Sequence, residues 1–322
     1  MNILLVKVSS LGDIVHAMPI VADILHAYPH AKIDWVAEEA FANLVQCVRG
    51  VRKVIPVALR RWRHQLCRPS TWREINQFFH TLRSTRYHAI IDAQGLLKSA
   101  LLSRLAHGQV YGLANRTEGA SHEWPVRFFY QQGITIPSRT HVVMRGRLLA
   151  AQALGYTLDT HIDFGLTPQF ADLTLLANDP YIVFVHAASR ADKAWPTTSW
   201  INLGLHLISA GYRIVLPWGS PAEKEISQTL AQTLGPRAWV PPYLALPHIA
   251  GLLEKATATI GVDTGLSHMS VALNKPTIQL YQFDTAWRTG GLSAEKFINL
   301  GSKRHPPTGI QVQAALVALG LL

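Results

Sequence analysis

The chain is short of cysteine, of acidic residues and of long apolar runs, and each shortage removes a class of protein. Two cysteines in 322 residues, Cys47 and Cys67, cannot build a disulfide framework and have no metal-ligand spacing, so both are expected as buried structural thiols. No apolar run approaches the ~20 residues that span a bilayer. Met1 leads straight into Ile3-Leu4-Leu5-Val6 with neither a basic n-region nor a small-residue cleavage site, so no signal peptide is expected and the location expected is cytoplasmic. There is no Walker spacing and no Gly-X-Gly-X-X-Gly, which argues against a nucleotide-dependent dehydrogenase. Asp-X-Asp is also missing, and no His/Cys cluster could hold a metal. Any leaving diphosphate would then have to be stabilised by protein groups alone.

The shortage of acid is uneven. Lysine and arginine number 30 against 20 aspartates and glutamates, a net charge of +10. The excess gathers at Arg49, Arg52, Lys53, Arg60, Arg61, Arg63, Arg68, Arg73, Arg83 and Arg86, where Glu74 is the single acid. Such a run attracts phosphates or carboxylates of a nucleic acid, an anionic membrane surface or an acidic substrate, unless it is simply a solvated face. Nucleic acid is set aside because no reader motif accompanies the charge.

What is present is an alternation of short apolar runs with helical patterns. Strands are expected at Asn2–Val8, Lys32–Ala37, Lys53–Val57 and Tyr87–Ala93, and helices at Asp13–Tyr28, Trp72–Arg86, Leu97–Ala106 and His141–Leu154, the last stopped by Gly155. Thr157–Pro180 breaks the rhythm. It then resumes with strands at Tyr181–Ala187, Tyr212–Pro217, Thr257–Val262 and Pro276–Tyr281 and helices at Ser199–Ile208, Ala222–Leu234, Leu246–Glu254, Gly265–Leu273 and Gly309–Leu321. This predicts an α/β protein of two Rossmann-like, doubly wound lobes, 1–165 and 166–322, facing a central cleft. The last helix is expected to be able to pack back on the first lobe. Open parallel sheets bind ligands beyond the carboxyl ends of their strands.

Three strand-to-helix junctions carry candidate chemistry. In Lys7-Val8-Ser9-Ser10-Leu11-Gly12-Asp13, Asp13 is either a helix cap or a general base for an attacking hydroxyl, and Gly12 allows close approach. In Ala187–Pro196, Lys193 is either solvated or a fixed cation for a diphosphate, with Ser189 as a hydroxyl donor. In Val262-Asp263-Thr264-Gly265-Leu266-Ser267-His268, a helix start at Gly265 points N–H groups at an anion. Asp263 and Thr264 can orient the ligand, and His268 is either a packing residue or a ligand contact. Pro217-Trp218-Gly219-Ser220 ends another strand and can set Trp218 beside a base or sugar.

These segments, with Ile55–Arg63, Asp92-Ala93-Gln94-Gly95-Leu96-Leu97-Lys98-Ser99 and Asp192–Pro196, resemble the lipopolysaccharide heptosyltransferase family, its type I members in particular, over nearly the whole chain and in family order. The resemblance implies a GT-B fold and inverting, metal-independent transfer of L-glycero-D-manno-heptose from ADP-heptose to the first Kdo (3-deoxy-D-manno-octulosonic acid) of Kdo2-lipid A. No cofactor is implied. Asp13 matches the catalytic base. Ser189, Lys193, Trp218, Gly219, Glu223, Asp263, Thr264, Gly265, Leu266 and His268 match the donor side, and Ser10, Gly12, Arg60, Arg61, Arg63, Gln94 and Lys98 the acceptor side. The expected enzyme is a cytoplasmic monomer, peripherally associated with the inner membrane, and the stretch Trp62–Trp72 is a candidate contact. Two loops depart from the family: Gln282-Phe283-Asp284-Thr285-Ala286 replaces Gly-Pro-Thr-Asp-Pro, and in Asn115–Trp124 an acceptor-side arginine falls on His122.

The rival within the family is a type II or III enzyme that needs an already heptosylated acceptor. The rival from another class, a two-lobed solute-binding protein, would need a signal peptide.

Overall fold

The computed structural model describes residues 1–120, 122–170, 179–188 and 190–322. Ser189 and part of the interlobe stretch Thr157–Pro180 therefore lie outside the described residues. The chain divides into two compact units, Met1–Thr167 and Pro168–Leu322.

In the first unit six strands run β1 (Asn2–Val6), β2 (Lys32–Glu38), β3 (Val51–Val57), β4 (Ala89–Asp92), β5 (Val110–Leu113) and β6 (Gln132–Ile134). They lie in the order β3-β2-β1-β4-β5-β6, every pair parallel. Ile3, Leu4, Leu5 and Val6 are all fully buried, because β1 is covered on both faces; that is why it reads as a continuous apolar run. On one face Leu4, Val6, Val36, Ile55, Phe78, Leu82, Ile90 and Leu102 form the core.

The second unit repeats the winding. Its strands β7 (Tyr181–Val185), β8 (Arg213–Val215), β9 (Ala238–Trp239), β10 (Ala258–Val262), β11 (Thr277–Leu280) and β12 (Phe297–Leu300) lie in the order β12-β11-β10-β7-β8-β9. In both sheets the chain starts in the middle, winds outwards one way, and returns to wind the other. The topological switch points, where ligands settle in such sheets, fall between β1 and β4 and between β7 and β10.

The expected elements differ from the observed ones where proline or short length decides. Asp13–Tyr28 is two helices, Leu11–Ala17 and Pro19–Ala27. Pro19 has no N–H to continue the first and is suited to the first turn of the second. A helix at Glu39–Gln46 and the short strands β5, β6, β9 and β12 were not expected. Gly155 adopts φ 76° at the end of helix Val142–Leu154, the left-handed cap read from its position. The final helix, Gly309–Ala318, buries Val312, Ala315 and Leu316 in the core of the second unit, and Trp195 Nε1 donates to Pro307 O beside it. Cys47 is buried, but Cys67, also expected inside, is exposed in the polar turn before helix Pro69–Arg83. Among the described residues no helix is long and apolar enough to cross a membrane.

Candidate active site

At the switch point of the first sheet, the loops after β1 and β4 are stitched together. Gln94 Nε2 donates to Ser9 O at 2.6 Å, while Val8 N and Ser9 N donate to Gln94 Oε1 at 2.8 and 3.2 Å. Lys98, in the first turn of helix Leu97–Leu105, reaches Ser9 Oγ at 3.3 Å. Beneath them Asp92 is fully buried and accepts from Gln94 N, Gly95 N, Ser99 Oγ and Tyr130 OH. Burial still pushes its carboxyl above the ordinary range. Sequence reasoning placed Gln94 and Lys98 here and missed Asp92 as their support.

Asp13 sits three positions into the helix that follows Ser10. Its Oδ2 accepts from Ser10 N at 2.9 Å and Ser10 Oγ at 3.0 Å, and its Oδ1 lies 3.4 Å from Lys7 Nζ. The cap reading and the base reading of Asp13 are thus compatible: one oxygen closes the capping box while 38% of the side chain stays accessible. Burial opposes ionisation, but the Lys7 ammonium and the Ser10 N–H outweigh it and hold the carboxyl well below its usual range. Lys7 is itself buried, donates to Ala93 O at 3.1 Å, and has its ammonium pKa lowered by that burial. The sequence placed it at the start of this junction without giving it a role. The signal was a lysine closing an otherwise apolar run, a charge that must be paired.

The arginine run divides on inspection. Arg61 is held by Glu39 through Nε and Nη2 at 3.0 and 2.9 Å and by Glu74 through Nη1 at 2.9 Å. Trp62 is buried in the core with Nε1 on Glu74, so this half of the stretch Trp62–Trp72 is packing. Arg60 and Arg63 are exposed and pair with no carboxylate among the described residues; Arg60 stacks 5.8 Å from Phe41 and Arg63 Nε meets His64 Nε2. Of the four cations expected on the acceptor side, Arg61 is thus ion-paired, whereas Arg60, Arg63 and Lys98 pair with no carboxylate among the described residues. His122 lies with Nε2 3.2 Å from Leu113 O.

At the switch point of the second sheet, Lys193 follows β7 and Asp263 follows β10. Lys193 Nζ donates to Asp263 Oδ2 at 2.6 Å and to Asp263 O at 3.4 Å. On the other side His268 Nε2 meets Asp263 Oδ1 at 3.3 Å. The imidazole orientation is set one step further out. Gly291 N donates to Gln279 Oε1 at 2.9 Å, which turns Gln279 Nε2 towards His268 Nδ1 at 3.1 Å. An amide N–H can be received only by a bare Nδ1, so the proton sits on Nε2, facing Asp263. Burial pushes the Asp263 carboxyl up, but His268 and Lys193 more than offset this and hold it well below the usual range. His268 is thereby an orienting residue. Gln279, a polar residue inside the buried strand β11, was not singled out.

Helix Gly265–Ala272 begins beside this pair. Thr264 makes no side-chain cap, whereas Ser220 and Thr308 cap their own helices in the same unit. The first N–H groups at Gly265 and Leu266 are left for an anion. The helix seats tightly because Gly261 has no side chain: a Cβ there would lie 2.3 Å from Ser267 Oγ, which donates to Val262 O at 2.7 Å. Of the remaining donor-side candidates, Gly219 N donates to Glu223 Oε2 at 2.7 Å, so Glu223 shapes the turn. Trp218 donates from Nε1 to Pro241 O and is flanked by Tyr243 and Lys224. Ser189 lies outside the described residues. In the divergent loop Asp284 is exposed, and Gln282 Nε2 donates to Ala194 O at 3.4 Å. Among the described residues no three His, Cys, Asp or Glu side chains gather as a metal site would require.

Two doubly wound units, one with a poised carboxylate and the other with a cation and an open helix N-terminus, have the build of a glycosyltransferase using a nucleotide-sugar. The chain belongs to glycosyltransferase family 9, the heptosyltransferases, whose model matches residues 75–313. It is similar to lipopolysaccharide heptosyltransferase 1 of Escherichia coli strain K12, at 41% identity over 326 residues covering 100% of both chains. The solved structure of E. coli heptosyltransferase WaaC with ADP superposes with a TM-score of 0.87 at 36% identity, over 98% of this chain and 99% of that one. The same enzyme with ADP-2-deoxy-2-fluoro heptose gives 0.83 at 35% identity, with the same coverage.

Proposed function

We propose that this chain transfers L-glycero-D-manno-heptose from ADP-heptose to the first Kdo of Kdo2-lipid A. The observation that carries the reading is the Lys193–Asp263 pair beside the uncapped helix at Gly265, which meets the needs of a departing nucleoside diphosphate. An ammonium has three N–H donors. Asp263 takes two of those on Lys193 and so aims the third without cancelling it. Trp218 offers an aromatic surface to the base or sugar. On the acceptor side Arg60, Arg63 and Lys98 supply cations for Kdo carboxylate and lipid A phosphate, and Ser10 and Gly12 line the approach to Asp13.

The step is a single displacement. The acceptor hydroxyl oxygen bonds to the heptose anomeric carbon as the bond from that carbon to the diphosphate oxygen breaks, inverting the centre. The hydroxyl proton passes to Asp13, and the electron pair leaves with ADP into the Lys193 and Gly265 cradle. Asp13 is ionised and ready at neutral pH. Because Lys7 weakens it as a resting base, proton transfer accompanies bond formation, when the hydroxyl becomes acidic. No metal or cofactor takes part in this scheme. One chain carries both sets of groups and acts as a monomer, at the cytoplasmic face of the membrane that holds its acceptor.

The test is ADP release from ADP-heptose in EDTA, with no acceptor, with Kdo2-lipid A, and with an acceptor that already bears heptose. Release that depends on the Kdo-only acceptor is expected. A requirement for the heptosylated acceptor would replace this reading with a type II or III activity.

A further inference from the structure

Helix Leu97–Leu105 and the 3-10 helix Trp124–Phe129 pack side by side over the first sheet. Each spends its inward residues on the core. Ala100 and Leu102 are buried from the first, and Val126 from the second. Their outward residues are unusually apolar: Leu97 is 43% exposed, Leu101 48%, Trp124 61% and Phe128 67%. In a 3-10 helix residues three apart eclipse, so Arg127 stands over Trp124. Its guanidinium lies 4.6 Å from the Trp124 ring and 5.0 Å from Phe128, and the two rings meet edge-on at 5.3 Å. A cation thus clamps two aromatic rings together in solvent, where their apolar area gains nothing. Lys98 and Arg104 are exposed on the neighbouring helix, and the acid Glu123, itself exposed, accepts from Leu97 N.

We infer that this face, Leu97, Leu101, Trp124 and Phe128 with Arg127, is the surface by which the protein docks on a bilayer carrying anionic headgroups. Tryptophan, phenylalanine and leucine enter the boundary between headgroup and chain, and arginine and lysine remain at headgroup level and draw anionic lipid. Charge complementarity selects a membrane over an apolar protein groove, which would leave Arg127, Lys98 and Arg104 unpaired. The inference rests on the proposed lipid-anchored acceptor in one respect: the helix that carries Leu97 and Leu101 also carries Lys98 to Ser9, so docking sets the acceptor loop at the membrane surface.

Flotation with vesicles of phosphatidylethanolamine and phosphatidylglycerol, against vesicles of phosphatidylcholine alone, tests it. The intact chain is expected to float with the anionic vesicles. Trp124→Ser combined with Phe128→Ser, and separately Arg127→Glu, should each weaken flotation about tenfold or more. The affected side chains are exposed, so the thermal midpoint should hold. Turnover with a Kdo disaccharide lacking acyl chains should be unchanged, while turnover on Kdo2-lipid A in vesicles falls. Flotation of the variants equal to that of the intact chain overturns the inference. So does a dimer of the intact chain that the substitutions abolish without touching flotation, which would make the face a contact between copies. Flotation that depends on this face without any ADP release would uphold the docking surface and refute the transferase reading instead.

Discussion

Lys193 Nζ lies 2.6 Å from Asp263 Oδ2, an ion pair that joins the ends of neighbouring strands β7 and β10 across the switch point of the second sheet. If its free donor stabilises the departing diphosphate, Lys193→Gln removes a transition-state contact. A loss of about 10²–10³ in kcat is expected, with ADP-heptose binding less affected, measured by steady-state ADP release and by calorimetry.

The same pair has a pH signature. Asp263 is held below the usual carboxyl range by His268 and Lys193 against the cost of burial. Its ionised form therefore contributes stability above the unfolded-chain value of ~3.9, and that contribution is lost as pH falls through the lower folded value. Urea unfolding monitored between neutral pH and pH ~3 should show Asp263→Asn less sensitive to acid than the intact chain. Parallel curves would mean the pair adds nothing to the fold.

Lys7 bears on the proposed base. Its ammonium, 3.4 Å from Asp13 Oδ1, is one reason the Asp13 carboxyl sits low. Lys7→Met should raise the Asp13 pKa, so the acidic limb of the kcat/KM profile moves to higher pH. Asp13→Asn should abolish that limb along with about 10²–10⁴ of turnover while ADP still binds. An unmoved limb in Lys7→Met would assign the limb to another group.

Gln279 bears on the proposed donor site through His268. Gln279→Glu puts an acceptor opposite His268 Nδ1 and invites a proton there, which reorganises the contact with Asp263. The KM for ADP-heptose is expected to rise more than kcat falls. Gln279→Met, which cannot donate, should do the same more mildly. Equal effects on every parameter would indicate simple loss of folded protein, which a thermal scan would show.

Stability of the first unit depends on Arg147, fully buried, which holds both oxygens of Asp23 at 2.8 Å and the carbonyls of Asp159 and His161. Asp23→Ala strands that guanidinium and should cost about 3–5 kcal/mol. Replacing both partners with apolar residues should cost less, as chemical denaturation of the pair of variants would reveal.

Both sheets were legible because buried parallel strands read as unbroken apolar runs separated by helical patterns. Asp13, Gln94, Lys98, Lys193 and Asp263 could be singled out in the sequence because all lie in the segments that follow strand ends, where the structure also finds them. The gaps have physical causes. Strands β5, β6, β9 and β12 have two to four residues and, unlike the equally short β4, β8 and β11, are broken by glycine or lie at a sheet edge. Arg61 looked free because its partner Glu39 is 22 residues away, on a helix whose existence was not foreseen. Lys7, Asp92 and Gln279 look like strand residues in sequence, and only the packing shows that each polar group is spent on a candidate site residue: Asp13, Gln94 and His268 respectively.

The repeated winding of the sheets has a consequence for how such a protein can change. Each unit has a switch point and, among the described residues, a hydrophobic core cluster of its own. If the loops after β1 and β4 meet the acceptor as proposed, drift in them can explore new acceptors while the Lys193–Asp263–His268–Gln279 arrangement rests on the other sheet. On that assignment a lineage can diversify what it glycosylates while keeping one donor, because the two choices would be inherited on separate scaffolds.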